Sequence, residues 1–462
     1  MVFKRFVSAL VAILMLAGML AGCGASDRTD GDNAPVPASS AGSAVTESTT
    51  APVEEAKPVV LTIWVNANQQ TQEALDQEAR FQAKYPHITL NKVLVNEGAG
   101  TDPVTAFAAG TNPDCSGTGA PTMASYAYAG MALPLDDYFA QWSDFSHISK
   151  EVIDNFAIAG KHYGLPQSNY TMVLCYNKPI FANAGLQPPK NWDEWLDTAV
   201  KLTDPSKQQW GMNMLVFYWT EWWFEYFVWM AGGDLTQQNE DGTLTPTFTD
   251  PAVGQAVDFY RKMIAAKCIQ PDLTLDYGNL QNQFSAGHAA MTLYGSDGLH
   301  IFVGQGMKAE DVGYAELPIG PSGKPVSQIG GNVDFIFSNV SKEKADAAWA
   351  WMSFRATKEE METGLKQQAE KGGADPFIAI RDDLDMSLGK IDPELQAVVD
   401  KCAAVSRLEF YGKGIVGGYV DKAVQKAIFD PKVDVVKVFQ EQQDLAKTDI
   451  EAFNAKVLES KK

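Results

Sequence analysis

Histidine and cysteine are scarce in this chain, five of each in 462 residues, and neither is arranged for chemistry. The histidines, at positions 87, 147, 162, 288 and 300, show no HExxH or other paired spacing, and the cysteines form no CxxC or CxxH pattern, so neither a metalloenzyme nor a zinc module is indicated. GxSxG does not occur. The glycine-rich GPSGKP at 320–325 lacks the GxxxxGK[ST] spacing, and Pro325 removes an N–H that a phosphate would want. Basic residues are in deficit, 37 Lys and Arg against 57 Asp and Glu, for a formal net charge of −20, which argues against a nucleic-acid surface. Asp383, Asp385, Ser387 and Glu394 have the spacing of a calcium-binding loop, but Leu388 stands where glycine allows the sharp turn. A solvated acidic loop is the expectation there, and no metal or cofactor is expected anywhere.

The N-terminus carries more information. Lys4 and Arg5 precede an apolar run from Phe6 to Leu20 that is too short to span a bilayer, followed by small residues, the layout of a secretory signal. Leu20-Ala21-Gly22-Cys23 resembles the lipobox of bacterial lipoproteins, which makes residues 1–22 the signal peptide and Cys23 the lipidated first residue. From Gly24 to Pro58 there is no Leu, Ile, Met or aromatic residue, so 23–58 reads as a disordered tether. The expected location is the outer face of the cytoplasmic membrane, held by lipid. Cys115, Cys175, Cys268 and Cys402 remain; disulfides are open to an exported protein, but these long, irregular spacings give no connectivity.

The rest can fold around a large core, with 45% apolar and 11% aromatic residues. Val59–Val65 reads as a buried strand, Thr71–Tyr85 as a helix stopped by Pro86, and Ile88–Val95 as a second strand: the unit of a parallel sheet. Helical patterns recur at Trp192–Leu202, Pro251–Ala266, Lys342–Phe354 and Tyr419–Phe429, with strands at Met172–Tyr176, Ala289–Leu293 and Val333–Ser338. The class is α/β.

An ordered set of phrases then resembles the extracellular solute-binding proteins of carbohydrate ABC importers: AAGTNPD at 108–114, MALPLDDY at 131–138, GKHYGLP at 160–166, YNK at 176–178, GLQPPKNWDE at 185–194 and FSAGHAAM at 284–291. The resemblance runs from Val59 to the C-terminus. It implies a type II periplasmic-binding-protein fold, two discontinuous α/β lobes that close over a ligand in the cleft between them. By analogy the chain crosses between lobes near Gln167–Thr171, returns near Leu293–Asp297 and crosses again near Gly330–Asp334. The expected N-terminal lobe is therefore 59–168 with 295–332, and the C-terminal lobe 169–294 with 333–462. A sugar or oligosaccharide ligand, ABC permease partners, a monomeric state and no catalysis follow from the same resemblance. A secreted glycoside hydrolase with paired carboxylates, or a sugar sensor for a membrane kinase, would share many of these features.

The stretch YWTEWWFEYFVW at 218–229 holds eight aromatic residues. On a helix Trp219, Trp222, Trp223 and Tyr226 share a face, with Glu221 and Glu225 as a narrow polar stripe, and two acids followed by Gly232-Gly233 rule out a membrane span. Most of these rings belong to a core. Counting back from Gly232, the resemblance places Trp222 where the family stacks an aromatic ring on sugar, with Trp219 the next candidate. Asn66, Asn68 and Gln69 follow the first strand, where amides can serve a vicinal diol as donor and acceptor. Thr118 follows the strand at Asp114, Tyr170 lies on the first crossing, Tyr294 and Asp297 on the return, and Gly331 and Asn332 on the last. Asp297 departs from the Trp that the family often has nearby, and its carboxylate can accept two hydroxyl hydrogen bonds.

Overall fold

Residues 57–66, 70–95, 103–154 and 157–460 are described by a computed structural model. The signal peptide, Cys23, all but the last two tether residues, Asn68, Gln69 and the side chain of Asn66 lie outside the described residues. The opening follows from local chemistry. Strand β1 (Val59–Asn66) buries Leu61 and Ile63; Thr71 then caps the helix Gln72–Lys84 by accepting from the Ala74 N–H at 3.3 Å, and Phe81 anchors that helix in the core. β2 (Ile88–Val95) pairs parallel to β1 from Val59↔Ile88 to Asn66↔Val95. β3 (Cys115–Gly119) lies parallel on the other side of β1.

Two short strands, β4 (Ala157–Ile158) and β5 (Lys161–His162), form a hairpin before the long β6 (Leu165–Asn177). A second hairpin, β7 (Thr236–Gln238) with β8 (Leu244–Pro246), follows the aromatic helix Thr220–Met230. β9 (Met291–Gly295) and β10 (Val312–Ala315) both pair antiparallel with the C-terminal half of β6. β11 (Ser327–Ile336) runs antiparallel to β6 at one end and to β3 at the other, with a register break at Asn332/Val333, and β12 (Ser406–Arg407) adds to its start. The main sheet therefore has the order β10-β6-β11-β3-β1-β2.

The buried side chains fall into separate clusters that β6 and β11 thread together. Leu61, Ile63, Phe81, Leu165, Ile336 and Ala345–Ala356 form one, and Met123, Tyr126, Val333, Phe335, Phe337 and Ile380 form a smaller neighbour. The largest takes Met172–Cys175, nearly the whole aromatic helix, Met291–Leu317 and Leu395–Val457. Trp195, Trp223, Phe224, Tyr226 and Phe227 are fully buried there.

This division differs from the expected lobe boundaries. Leu299, Phe302, Met307, Val312, Tyr314 and Leu317 stay in the large cluster, because β9 and β10 both turn back onto β6 and keep the intervening chain on that side. Val333–Ala356 packs with β1 and β3 instead, since β11 continues past Asn332 to pair with β3. β6 and β11 each pass from one cluster to another; at Leu293–Asp297 the chain stays with the large cluster, and it leaves the smaller one after Ile380 to rejoin the large one at Leu395.

Helix and strand limits agree closely with the sequence pattern at Trp192–Leu202 and Ile88–Val95. The late helix starts earlier than expected, at Lys413, where Gly412 turns the chain through the left-handed region, and Gly417 lets it pack closely on Glu221. The acidic loop forms no cage: Asp383 is held by Arg381, Asp385 caps Ser387, and the Glu394 N–H is capped by Asp392.

All four cysteines of the described residues are unpaired and buried, and burial raises each thiol, Cys268 to about 11 and Cys402 to about 12. A reducing agent should thus leave the thermal midpoint unchanged, and a thiol reagent should react with the native protein far more slowly than with the denatured protein. A midpoint that falls on reduction would show a disulfide this packing does not contain.

Candidate functional site

The carboxyl ends of β1, β2 and β3 open on a cavity of about 540 Å3 lined by Val65, Gln70, Val95, Ser116, Gly117 and Asn332. Open α/β sheets bind ligands beyond such strand ends. A smaller cavity of about 280 Å3 shares Gln77 and Arg355 with it and reaches Asn169, Asp297 and Asp375. The largest described cavity, about 1000 Å3, lies between Tyr128 and Ile158 on one side and Gly233, Arg407, Glu409 and Tyr411 on the other. No expected site residue lines this last space, so the strand-end and crossing-strand region is the better candidate.

The crossing strands bring most of the expected residues into one line. Asn332 pairs with Ser168 and Gly119, Val333 with Thr118, Gly331 with Asn169, and Gly330 with Tyr170. Gly330 and Gly295 make room for the Tyr170 ring, since a Cβ would fall 2.3 Å and 3.0 Å from it. Asp297 lies beside Gly295, and Tyr294 precedes it at the end of β9. Tyr294 stacks on Tyr277, with centroids 5.2 Å apart and planes within 5°. Trp219 and Trp222 in turn touch Tyr277, at 5.3 Å and 6.0 Å. Thr118 and Asn332 stand at the far end of this line, on the β3–β11 pair.

The two tryptophans occupy different environments. Trp222 is only 8% exposed, its ring edged by Tyr226 and Tyr277 with the Lys413 ammonium 5.9 Å from its centroid. Trp219 is 48% exposed and caps the aromatic helix in the left-handed region, φ 49° and ψ 36°, a strained backbone for a bulky residue. Of the pair, Trp219 offers the open face.

The polar stripe on this helix is not solvated. Glu225 is 0% exposed; one oxygen accepts from the Phe410 N–H at 3.0 Å and the other has no hydrogen-bond partner. Burial, reinforced by Glu409, raises its carboxyl well above the usual range. Lys413 sits among these acids, 2.5 Å from Glu409 and 3.7 Å from Glu221, and Gln328 links Glu409 (3.1 Å) to the Tyr226 hydroxyl (2.8 Å). Asp421 accepts the Glu221 N–H at 2.8 Å and is pushed up to about 8 by burial and then by Glu221.

Sequence reasoning missed Tyr226, Tyr277, Gln328, Glu409 and Lys413 as parts of this region. The spacing of Glu409 and Lys413, four apart, was a legible signal for an ion pair. Tyr277 had none, since only tertiary packing brings the helix Tyr277–Ser285 against β9.

Residues 65–362 match the family described as bacterial extracellular solute-binding protein, and the chain belongs to that family. A binding protein of Brucella abortus (strain 2308) is 26% identical over 373 residues, covering 75% of this chain and 87% of its own length. Among solved structures, an ABC transporter solute-binding protein from Thermotoga lettingae bound with α-D-tagatose superposes with a TM-score of 0.73 at 22% identity, covering 85% of this chain and 99% of that one. A substrate-binding protein from Listeria monocytogenes in complex with cycloalternan gives 0.73 at 20% identity, covering 86% and 100%. The fold is thus the two-lobed α/β fold of type II periplasmic binding proteins.

The raised Asp421 makes stability depend on pH. Its folded-state value of about 8 lies above the ordinary 3.8, so between these limits the unfolded chain loses a proton that the folded one keeps, and stability drains as pH rises. Asp421→Asn keeps the acceptor for the Glu221 N–H. Thermal melts of this variant should show a gain over the wild type at pH 7.5 that shrinks towards pH 4; an equal gain at both values would reject the assignment.

Proposed function

We propose that this protein is a lipid-anchored solute receptor, held outside the cytoplasmic membrane through Cys23, that captures a sugar or polyol between its two lobes and delivers it unchanged to the permease of an ABC importer. The observation that carries the reading is the line of Asn332, Gly331, Tyr170, Asp297, Tyr294 and the tryptophans, laid along strands shared by the separate cores. Aromatic faces take the apolar C–H surface of a pyranose, while the carboxylate and amides take its hydroxyls. That relatives of the same fold were solved with tagatose and with cycloalternan supports the solute class. The lobes of this proposal are 59–168 with 333–380, and 172–326 with 395–460, following the packed clusters. Asn66, Asn68 and Gln69 stay in the proposal on their sequence position after β1 alone.

Closure is the working step. β6 and β11 act as the hinge, and ligand bridging the two lobes favours the closed form by mass action. Small-angle scattering should give a smaller radius of gyration with sugar than without. Trp219→Ala should weaken binding by about 1–3 kcal/mol with little change in melting temperature, whereas Trp222→Ala should cost about 3–5 kcal/mol of stability. Release of reducing ends from an oligosaccharide would favour a glycoside hydrolase and overturn the transport reading.

A further inference from the structure

The charges around the crossing strands do not balance. Each described cation lining the three cavities already has a carboxylate: Arg407 with Asp234, and Arg355 with Asp334 at 2.6 Å; Lys413 is likewise held by Glu409 at 2.5 Å. Arg80 is held by Glu360 at 2.7 Å. His300 gives both its ring Nδ1 and its backbone N–H to Asp375. Asp297 is left over. The titratable groups around it are Tyr170 and Cys175 on β6, Tyr277 on the helix Tyr277–Ser285, Tyr294 on β9 and Tyr314 on β10, together with His300 and Asp375, and the Tyr170 ring meets its Oδ1 over Gly295. The imidazole is taken up by Asp375, and Asp297 stands beside that pair with no ion pair of its own among the described residues. The segments 67–69 and 96–102, which follow β1 and β2 in the sequence, contain no Lys, Arg or His that could supply the missing charge.

An ionised carboxylate held beside a second one, in a wall of tyrosine rings, is costly without a counterion. Burial and then Asp375 raise Asp297 to about 6, which still leaves it ionised at pH 7.5. A neutral hydroxyl can donate to such a group but does not neutralise it. An ammonium does, and the electron-rich ring faces of Tyr170, Tyr277, Tyr294 and Trp219 attract the same charge.

We propose that Asp297 and the tyrosines around it form a subsite for a protonated amine, so that the captured solute is a hydroxylated cation of the amino-sugar class. The inference rests on the solute-binding reading given above and narrows it. Anionic solutes, such as sugar phosphates and uronates, are rejected by the same unbalanced charge.

Titration calorimetry on the mature protein tests this with matched sets: glucose, galactose and mannose, their 2-amino-2-deoxy forms and N-acetylated forms, and the di- to tetramers of glucosamine against those of N-acetylglucosamine. At pH 7.5 at least one free amine should bind about tenfold more tightly than its neutral and N-acetylated counterparts. Asp297→Asn should abolish the preference, bringing that amine to within about twofold of its neutral counterpart in the same variant, without lowering the melting temperature. The preference for the amine should also fade as pH drops through about 6, as Asp297 gains its proton. A neutral or N-acetylated member that binds as tightly as its amine, or a preference that survives in Asp297→Asn, overturns the amine subsite and leaves the sugar-binding reading intact. Silence across the whole panel sinks both.

Discussion

The antiparallel pairing of β6 with β11 is the constraint on which the rest of this molecule depends. β6 begins in one hydrophobic cluster at Leu165 and ends in another at Met172–Cys175, and β11 does the reverse. Each strand therefore answers to two cores, and the short stretch between them, Ser168–Thr171 against Ile329–Asn332, is where the backbone is least filled by apolar side chains. Polar groups take that space. Thr171 bonds to Ser327 at 2.9 Å and to Ser406 at 2.7 Å, and Gln328 ties Tyr226 to Glu409. A polar seam between dry cores is what a bending joint and a hydroxyl-binding surface both require.

The aromatic helix shows how packing and recognition divide one stretch of sequence. From Trp222 to Met230 every side chain is buried, including the Glu225 carboxyl. Its N-terminus alone reaches outward, through Trp219 in a strained left-handed turn. The interior fixes the helix rigidly, and that rigidity holds the strained residue where it is.

How much of this was legible in the sequence depended on whether the signal was local. The opening strand-helix-strand, the helix Trp192–Leu202 and the α/β class follow from periodicity, caps and Pro86, all within a few residues of where they act. The crossing at Tyr170 was expected through a resemblance, and β6 there does pass from one packed cluster to another. The return at Leu293–Asp297 does not, because whether a chain crosses or folds back is decided by which edge of β6 its next strand finds, and Val312–Ala315 finds the near one. Of the expected residues, Trp219 and Asp297 lie at a helix cap and just past a strand end and Tyr170 within β6, whereas the packing of Tyr277 and the Gln328–Glu409 link exist only through contacts between distant segments. The polar stripe of Glu221 and Glu225 was legible, but not that it is largely buried, since Lys413 and the Phe410 N–H are supplied from elsewhere.

The glycines beside Tyr170 carry a last implication. Gly295 and Gly330 leave gaps that the ring fills, and Gly331 lies so near Ser168 that a Cβ would sit 2.1 Å from its carbonyl oxygen. In a lineage adapting to new solutes, the half-exposed Trp219 ring has room to be exchanged. The three glycines have no such freedom: any side chain there would pry the strands apart, so diversification of this receptor must proceed by changing the lining while its floor stays fixed.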